Sequence, residues 1–249
     1  MKELAQHVAL VTGAARNIGR AIACDLADAG ADLVLVARSD RAGLDETAAL
    51  VHAKGGKALV IQADITKEDE VAALMSAITK DFGQLDIVVN NAALRAEDEF
   101  EEITLAQWRE VMAVNLDGNF LVTRGAMALV KKSKAGAIIN MGGLTAYTGA
   151  AKRAHVVAAK AALDGLTKAL AHEFAPLGIT VNLVSPGLID TARHGRSAGQ
   201  PDHHKRHATL LGRRGLPEEV ASMVRHLAGP HGRYITGQTI HVNGGVYLP

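Results

Sequence analysis

The sequence contains one cysteine, Cys24, in 249 residues. No internal disulfide can form, which excludes a disulfide-stapled secreted scaffold and points to a reducing compartment. Aromatic residues make up only 3%, too few for the base-stacking platforms of a single-strand nucleic-acid binder. Neither charge dominates: 27 Lys and Arg stand against 26 Asp and Glu. Composition therefore offers no basic face for nucleic acid or an anionic membrane. No run reaches the roughly 18 uninterrupted apolar residues that read as a membrane span. The start, Met1-Lys2-Glu3-Leu4-Ala5-Gln6, lacks the apolar core of a signal peptide. A cytoplasmic protein with no nucleic-acid or membrane partner is expected.

What is present is ordinary in bulk, with 48% hydrophobic and 21% charged residues, and informative in order. Short apolar, β-branched runs are expected as strands at 7–11, 32–36, 58–61, 87–89, 137–140, 180–184 and 239–242. Helical patterns lie between them at 19–29, 41–54, 67–82, 105–131, 153–174 and 217–227. Strands apolar on both faces, each followed by a crossover helix, specify a parallel sheet covered on both sides. The expectation is α/β, a single-domain doubly wound Rossmann sheet spanning residues 1–249.

The first strand-to-helix turn reads Thr12-Gly13-Ala14-Ala15-Arg16-Asn17-Ile18-Gly19. Glycines after a first strand let the backbone turn tightly and approach a pyrophosphate, which rests on free N–H groups of the following helix. Asn17 stands where a middle glycine is expected, and asparagine tolerates a positive φ better than most residues. Gly13, Arg16, Asn17, Ile18 and Gly19 are thus expected to hold a dinucleotide. The second strand ends Val36-Ala37-Arg38, without the acid that would bind the ribose 2′-hydroxyl of NAD. Arg16 and Arg38 together suit a 2′-phosphate, so NADP(H) is expected over NAD(H).

Spaced motifs along nearly the whole chain carry a resemblance. They are Thr12-Gly13 with Ile18-Gly19, Ala63-Asp64-Ile65, Asn90-Asn91-Ala92-Ala93, Val114-Asn115-Leu116-Asp117-Gly118, Lys160-Ala161-Ala162-Leu163, Ser185-Pro186-Gly187-Leu188-Ile189-Asp190-Thr191 and Val242-Asn243-Gly244-Gly245. The chain resembles the short-chain dehydrogenase/reductase family. The resemblance implies a nicotinamide cofactor, carbonyl/alcohol redox chemistry and commonly a homotetramer or homodimer built on the long helices. It also implies that Asp64 and Ile65 contact the adenine side, and that Asn91, Ala92, Lys160, Pro186, Gly187, Ile189 and Thr191 complete the cofactor site.

The family's catalytic set is Asn, Ser, Tyr and Lys. Asn115 and Lys160 match it. The Tyr four residues before the lysine is Val156, and the Ser about a dozen residues earlier is Gly143. The proton-transfer pair is missing, so the catalytic Ser/Tyr pair is degenerate and these two positions become substrate-facing. Tyr147, on the loop after the fifth strand, is the first choice to supply the acid in the space left by Val156. Helix geometry disfavours His155, which lies about 140° from Lys160, whereas Arg153 lies only about 20° away and could anchor an anion or stabilise an alkoxide.

Residues 191–215 correspond to a substrate lid. They are basic and histidine-rich, including Arg193, His203, His204 and His207, and suit an acidic substrate. No clear ligand set for a metal appears there. The expected function is an NADP(H)-dependent oxidoreductase moving a hydride to or from a small carbonyl/alcohol, imine or enone substrate, with a non-standard proton donor. The alternative is a catalytically inactive or non-redox protein, lyase-like or cofactor-sensing, that still binds NADP.

Overall fold

The computed structural model describes residues 2–192 and 208–249. Seven strands form its centre: β1 (Val8–Thr12), β2 (Asp32–Ala37), β3 (Ala58–Gln62), β4 (Ile87–Asn90), β5 (Ala137–Met141), β6 (Thr180–Pro186) and β7 (Thr239–Val242). They pair in the order β3-β2-β1-β4-β5-β6-β7, and every pairing is parallel. The helices are α1 (Asn17–Asp28), α2 (Arg41–Ala53), α3 (Glu68–Asp81), α4 (Leu105–Met112), α5 (Gly118–Val130), α6 (Thr145–Thr148), α7 (Ala154–Phe174) and α8 (Pro217–Ala228).

Alternation along the strands builds two cores. Ala9, Val11, Leu33 and Leu35 pack on one face with Ile22 and Leu26 of α1, Leu44 of α2, and Val220, Val224 and Leu227 of α8. Val8, Leu10, Val34 and Val36 face the other way, against Leu74 and Ile78 of α3, Val122 and Leu129 of α5, and Phe174 of α7. Each fully buried Leu or Ile contributes about 1.5–3 kcal/mol, so the doubly covered sheet expected from the apolar strands is stable on both sides. Parallel pairing also places all strand carboxyl ends on one edge. The strand order reverses between β1 and β4, and the crevice at such a reversal is where ligands bind in open α/β sheets.

Two local features position the site. Asn90 and Asn140 are opposite each other on β4 and β5, fully buried. Nδ2 of Asn90 donates to Oδ1 of Asn140 (2.8 Å) and Oγ1 of Thr123 on α5 (2.9 Å), and Nδ2 of Asn140 donates to Oγ1 of Thr167 on α7 (2.9 Å). This chain fastens α7, which carries Val156 and Lys160, to the sheet. The other feature departs from expectation. The helix expected over 105–131 is interrupted by a π-helical turn at Ala113–Asp117. Such single-turn insertions favour functional sites, and this one carries the buried Asn115. Apolar periodicity does not register one extra residue in the hydrogen-bond ladder.

α7 itself begins after Arg153, whose φ of −132° and ψ of 25° are not helical, and ends before Pro176, whose missing N–H cannot continue it. A 3-10 turn, Ala175–Leu177, follows, and Gly178 closes it at φ +69°. Among the described residues, no helix is long and apolar enough to cross a membrane.

Candidate active site

A groove of about 550 Å³ runs along the carboxyl edge of β1, β2 and β4. Its size falls in the range of small-molecule and cofactor sites. Gly13, Arg16, Asn17, Ile18, Gly19, Arg38, Asp64, Ile65, Asn91 and Ala92 line it. The turn after β1 is as tight as its glycines require. Gly13 sits at φ +66°, and a Cβ on Gly19 would lie 2.1 Å from the carbonyl oxygen of Gly13. Asn17 takes φ +51°, the left-handed conformation foreseen for it. It also does something unforeseen: its side-chain amide pairs with both backbone groups of Ala192 (2.9 and 3.0 Å). That ties the phosphate-type turn to the segment following β6.

Nδ2 of Asn91 braces the same turn through the carbonyls of Thr12 and Gly13 (2.9 and 3.1 Å). At the far end, Arg16 and Arg38 are exposed on the groove. The Asp40 carboxylate lies 3.9 Å from Arg16 but accepts from the Gly43 N–H and caps α2. Burial would raise the Asp64 carboxyl, yet hydrogen bonds from Thr66 and the charges of Arg38 and Lys67 hold it below its ordinary value. These residues fit a dinucleotide: the tight glycine turn leaves backbone N–H groups free at the α1 N-terminus, and the cations stand at the adenosine end.

The groove opens at Asn91–Arg95 into an inner cleft of about 150 Å³. Met141 and Gly143 come from the end of β5, Val156 and Lys160 from α7, and Pro186, Gly187, Ile189 and Thr191 from the end of β6. Val156 and Lys160 are one turn apart on the same face, and both are buried. Nζ of Lys160 donates to the Met141 carbonyl at 2.6 Å. Burial, reinforced by the charge of Arg95, lowers the Lys160 pKa to about 8. A Cβ on Gly143 would meet nothing within 4 Å, so the space where a hydroxyl would sit is open. Gly187, in contrast, cannot carry a side chain, because its Cβ would lie 2.6 Å from Cα of Asn243.

The structure does not bring Tyr147 to this cleft. Residues 145–148 form the short helix α6 rather than an extended loop, which turns the phenol the other way. It stacks on Tyr247, meets His241 edge-on and donates to Oγ1 of Thr239 at 3.4 Å. Burial and the neighbouring Asp164 raise its pKa, outweighing the Thr239 hydrogen bond. Tyr147 does not line the cleft and is not placed to serve as its acid. His155 points away from Lys160, as helix geometry implied, with Nε2 3.4 Å from Asp98. Arg153 is in the cleft wall and only 7% exposed. Arg193 and the histidines at 203, 204 and 207 lie outside the described residues.

Asn115, buried in the π-helical turn, spends its side chain on the loop after β4. Its Oδ1 accepts from Leu94 N–H at 2.7 Å, and its Nδ2 donates to Leu94 C=O at 3.0 Å. Asn115 thus clamps the loop that carries Arg95. Asn115→Ala is expected to orphan both Leu94 groups at a cost of about 1–3 kcal/mol. Urea denaturation should show that loss, and amide exchange at Leu94 should accelerate; unchanged exchange would contradict the clamp. Arg95 was missed in the sequence. Its signal was available, since it is a lone cation four residues past Asn91, in the loop facing the crevice between β1 and β4.

Comparison with known proteins agrees with this geometry. Residues 13–247 match a family described as enoyl-(acyl carrier protein) reductase. The 3-oxoacyl-acyl-carrier-protein reductase of Vibrio cholerae is 39% identical over 245 residues, 97% of each chain. That of Synechocystis is 38% identical over 249 residues, the full length of both. A short-chain dehydrogenase of Burkholderia cenocepacia, solved in complex with NADP, superposes with a TM-score of 0.91 at 32% identity, covering 98% of this chain and 99% of that one. The chain belongs to the short-chain dehydrogenase/reductase family. As a member, it is an oxidoreductase-type Rossmann protein whose groove is built for a nicotinamide dinucleotide.

Proposed function

We propose that the protein is an NADP(H)-dependent oxidoreductase of a small carbonyl or alcohol, in which Lys160 itself exchanges the proton. One observation carries this: Lys160 brings a buried ammonium to the inner cleft one turn from Val156, where burial and then the charge of Arg95 bring its pKa down to about 8. When bound, the nicotinamide supplies the hydride in reduction and receives it in oxidation. As negative charge builds on the carbonyl oxygen, the Lys160 ammonium donates a proton to it, giving the alcohol, and the neutral amine is reprotonated from solvent. Burial, and after it the guanidinium of Arg95, depresses the Lys160 pKa, which makes that donation easier. Gly143 brings no hydroxyl to the cleft from its position, and Val156 gives that wall an apolar surface.

Arg16 and Arg38 would hold the 2′-phosphate, and the NADP complex of the Burkholderia relative supports that choice. Each charge-assisted hydrogen bond is worth about 1.5–3 kcal/mol, roughly tenfold or more in affinity. Titration following nicotinamide fluorescence should therefore find NADPH bound at least about tenfold tighter than NADH. The preference should vanish in the Arg16→Ala, Arg38→Ala double variant. Equal or tighter NADH binding by the unaltered protein would sink the NADP assignment.

A further inference from the structure

The inner cleft is small for what it has to hold. Its volume is about 150 Å³, comparable to a cavity that takes one benzene molecule. A nicotinamide ring is of that size, so the ring and a carbonyl substrate do not fit together in the cleft as it stands. A wall has to yield. Met141 ends β5 and Lys160 sits on α7, and the buried Asn90-Asn140-Thr167 chain fastens those elements to each other. The wall formed by Leu94 and Arg95 instead belongs to a stretch without helix or strand, residues 91–99.

Asn115 fixes one end of that stretch by holding both backbone groups of Leu94. The other end is strapped to the segment that leads into α7. The Asp98 N–H donates to the Lys152 carbonyl at 2.9 Å, and Nζ of Lys152 lies 2.7 Å from Oε1 of Glu99. Nε2 of His155 lies 3.4 Å from Oδ2 of Asp98, and Nε of Arg153 lies 3.9 Å from Oε1 of Glu97. Arg95 lies in the chain between the fixed end and this strap. The strap is weakly held. The Lys152 and Glu99 side chains are each 50% exposed, and an exposed ion pair is worth about 0.2–1 kcal/mol. Lys152 also takes φ +63°, a left-handed conformation that costs a non-glycine residue about 1 kcal/mol or more.

We propose that residues 97–99 and 152–155 form a latch beside the inner cleft, and that its release swings the Arg95 loop about Leu94 to admit substrate. The latch rests on the cleft being the substrate site, as proposed above, and it is read through access rather than turnover. Weakly held surface segments of this kind open locally while the rest of a fold stays intact. With the latch closed, the nicotinamide end is shielded when no substrate is present.

The test uses Val156→Cys, at a cleft-lining position only 5% exposed, in the full chain saturated with NADPH. Methyl methanethiosulfonate is added, and labelling at position 156 and at the native Cys24 is followed by mass spectrometry. Labelling at 156 passes through the open form, so its rate follows the opening equilibrium. Adding Asp98→Ala and Lys152→Met should raise that rate about tenfold, the combined worth of a hydrogen bond and an exposed ion pair. The latched protein should also label several-fold faster in about 0.5 M salt than in dilute buffer, and the released variant should lose that dependence. Cys24, on α1 and outside the cleft lining, should label at the same rate in both proteins. A rate at 156 that ignores both release and salt would overturn the latch. Equal acceleration at Cys24 would show general loosening and overturn it too. Should the combined variant fail to fold, Glu99→Gln alone should still raise the rate about two- to fivefold. If labelling depends on the latch while no carbonyl is reduced, the latch stands and the redox function falls.

Discussion

Replacing Lys160 with methionine is expected to lower kcat for carbonyl reduction by about 10²- to 10⁴-fold, the usual worth of a positioned general acid. That corresponds to roughly 3–5 kcal/mol in the barrier. Methionine fills the buried volume but leaves the Met141 carbonyl without its 2.6 Å donor, so folding is checked by thermal melting. Arginine is the more telling substitution. Lys160→Arg keeps a positive charge near the cofactor yet cannot release a proton near neutrality, so it should remain as slow as methionine. If the lysine served only to hold the cofactor or to supply charge, arginine would restore much of the rate. NADPH affinity, measured separately, tells a binding loss from a chemical one.

The second large effect is a gain. Gly143→Ser with Val156→Tyr should create reductase activity on plain ketones, rising by about 10²-fold over the unaltered protein. The site can accept both changes. A serine Cβ at 143 has no neighbour within 4 Å, and Val156 borders the cleft, so a tyrosine ring has somewhere to go. The Lys160 ammonium one turn away would then depress the new phenol's pKa. The single Val156→Tyr variant should gain less, since position 143 would still bring no hydroxyl to orient the carbonyl. Overpacking would cost about 1–3 kcal/mol and appear in the melting temperature. A folded, NADPH-binding double variant with no added activity would show that more than the Ser/Tyr pair separates this cleft from an ordinary ketone reductase.

The sheet and its covering helices were legible in the sequence because apolar strands and amphipathic helices are repeated signals, each backed by many residues. The dinucleotide turn was legible for another reason: Gly13, Asn17 and Gly19 are forced by backbone conformation, which local sequence records directly. The inner cleft was only half legible. Val156, Lys160 and Arg153 were set by one helix's periodicity, and the structure brings all three to the cleft. Tyr147 was misplaced because a four-residue helix, too short to leave a periodic trace, turns its ring toward Thr239 and Tyr247. Asn115 lay in a π turn that apolar spacing cannot register, so its grip on Leu94 went unseen. Arg95 sits on a loop, where side-chain direction depends on contacts far away in sequence.

The pH dependence of reduction measures the central claim most directly, because kcat/KM reports groups titrating in the free enzyme. The Lys160 pKa is lowered from 10.5 to about 8, so the proton-bearing form prevails below that pH and is lost above it. With the unaltered protein, kcat/KM for reduction should be level on the acid side and fall about tenfold per pH unit above a break near 8. In the oxidation direction it should instead rise through the same break. A reduction profile that stays level from about pH 6 to 10, or a break that persists in Lys160→Arg, would contradict Lys160 as the proton donor.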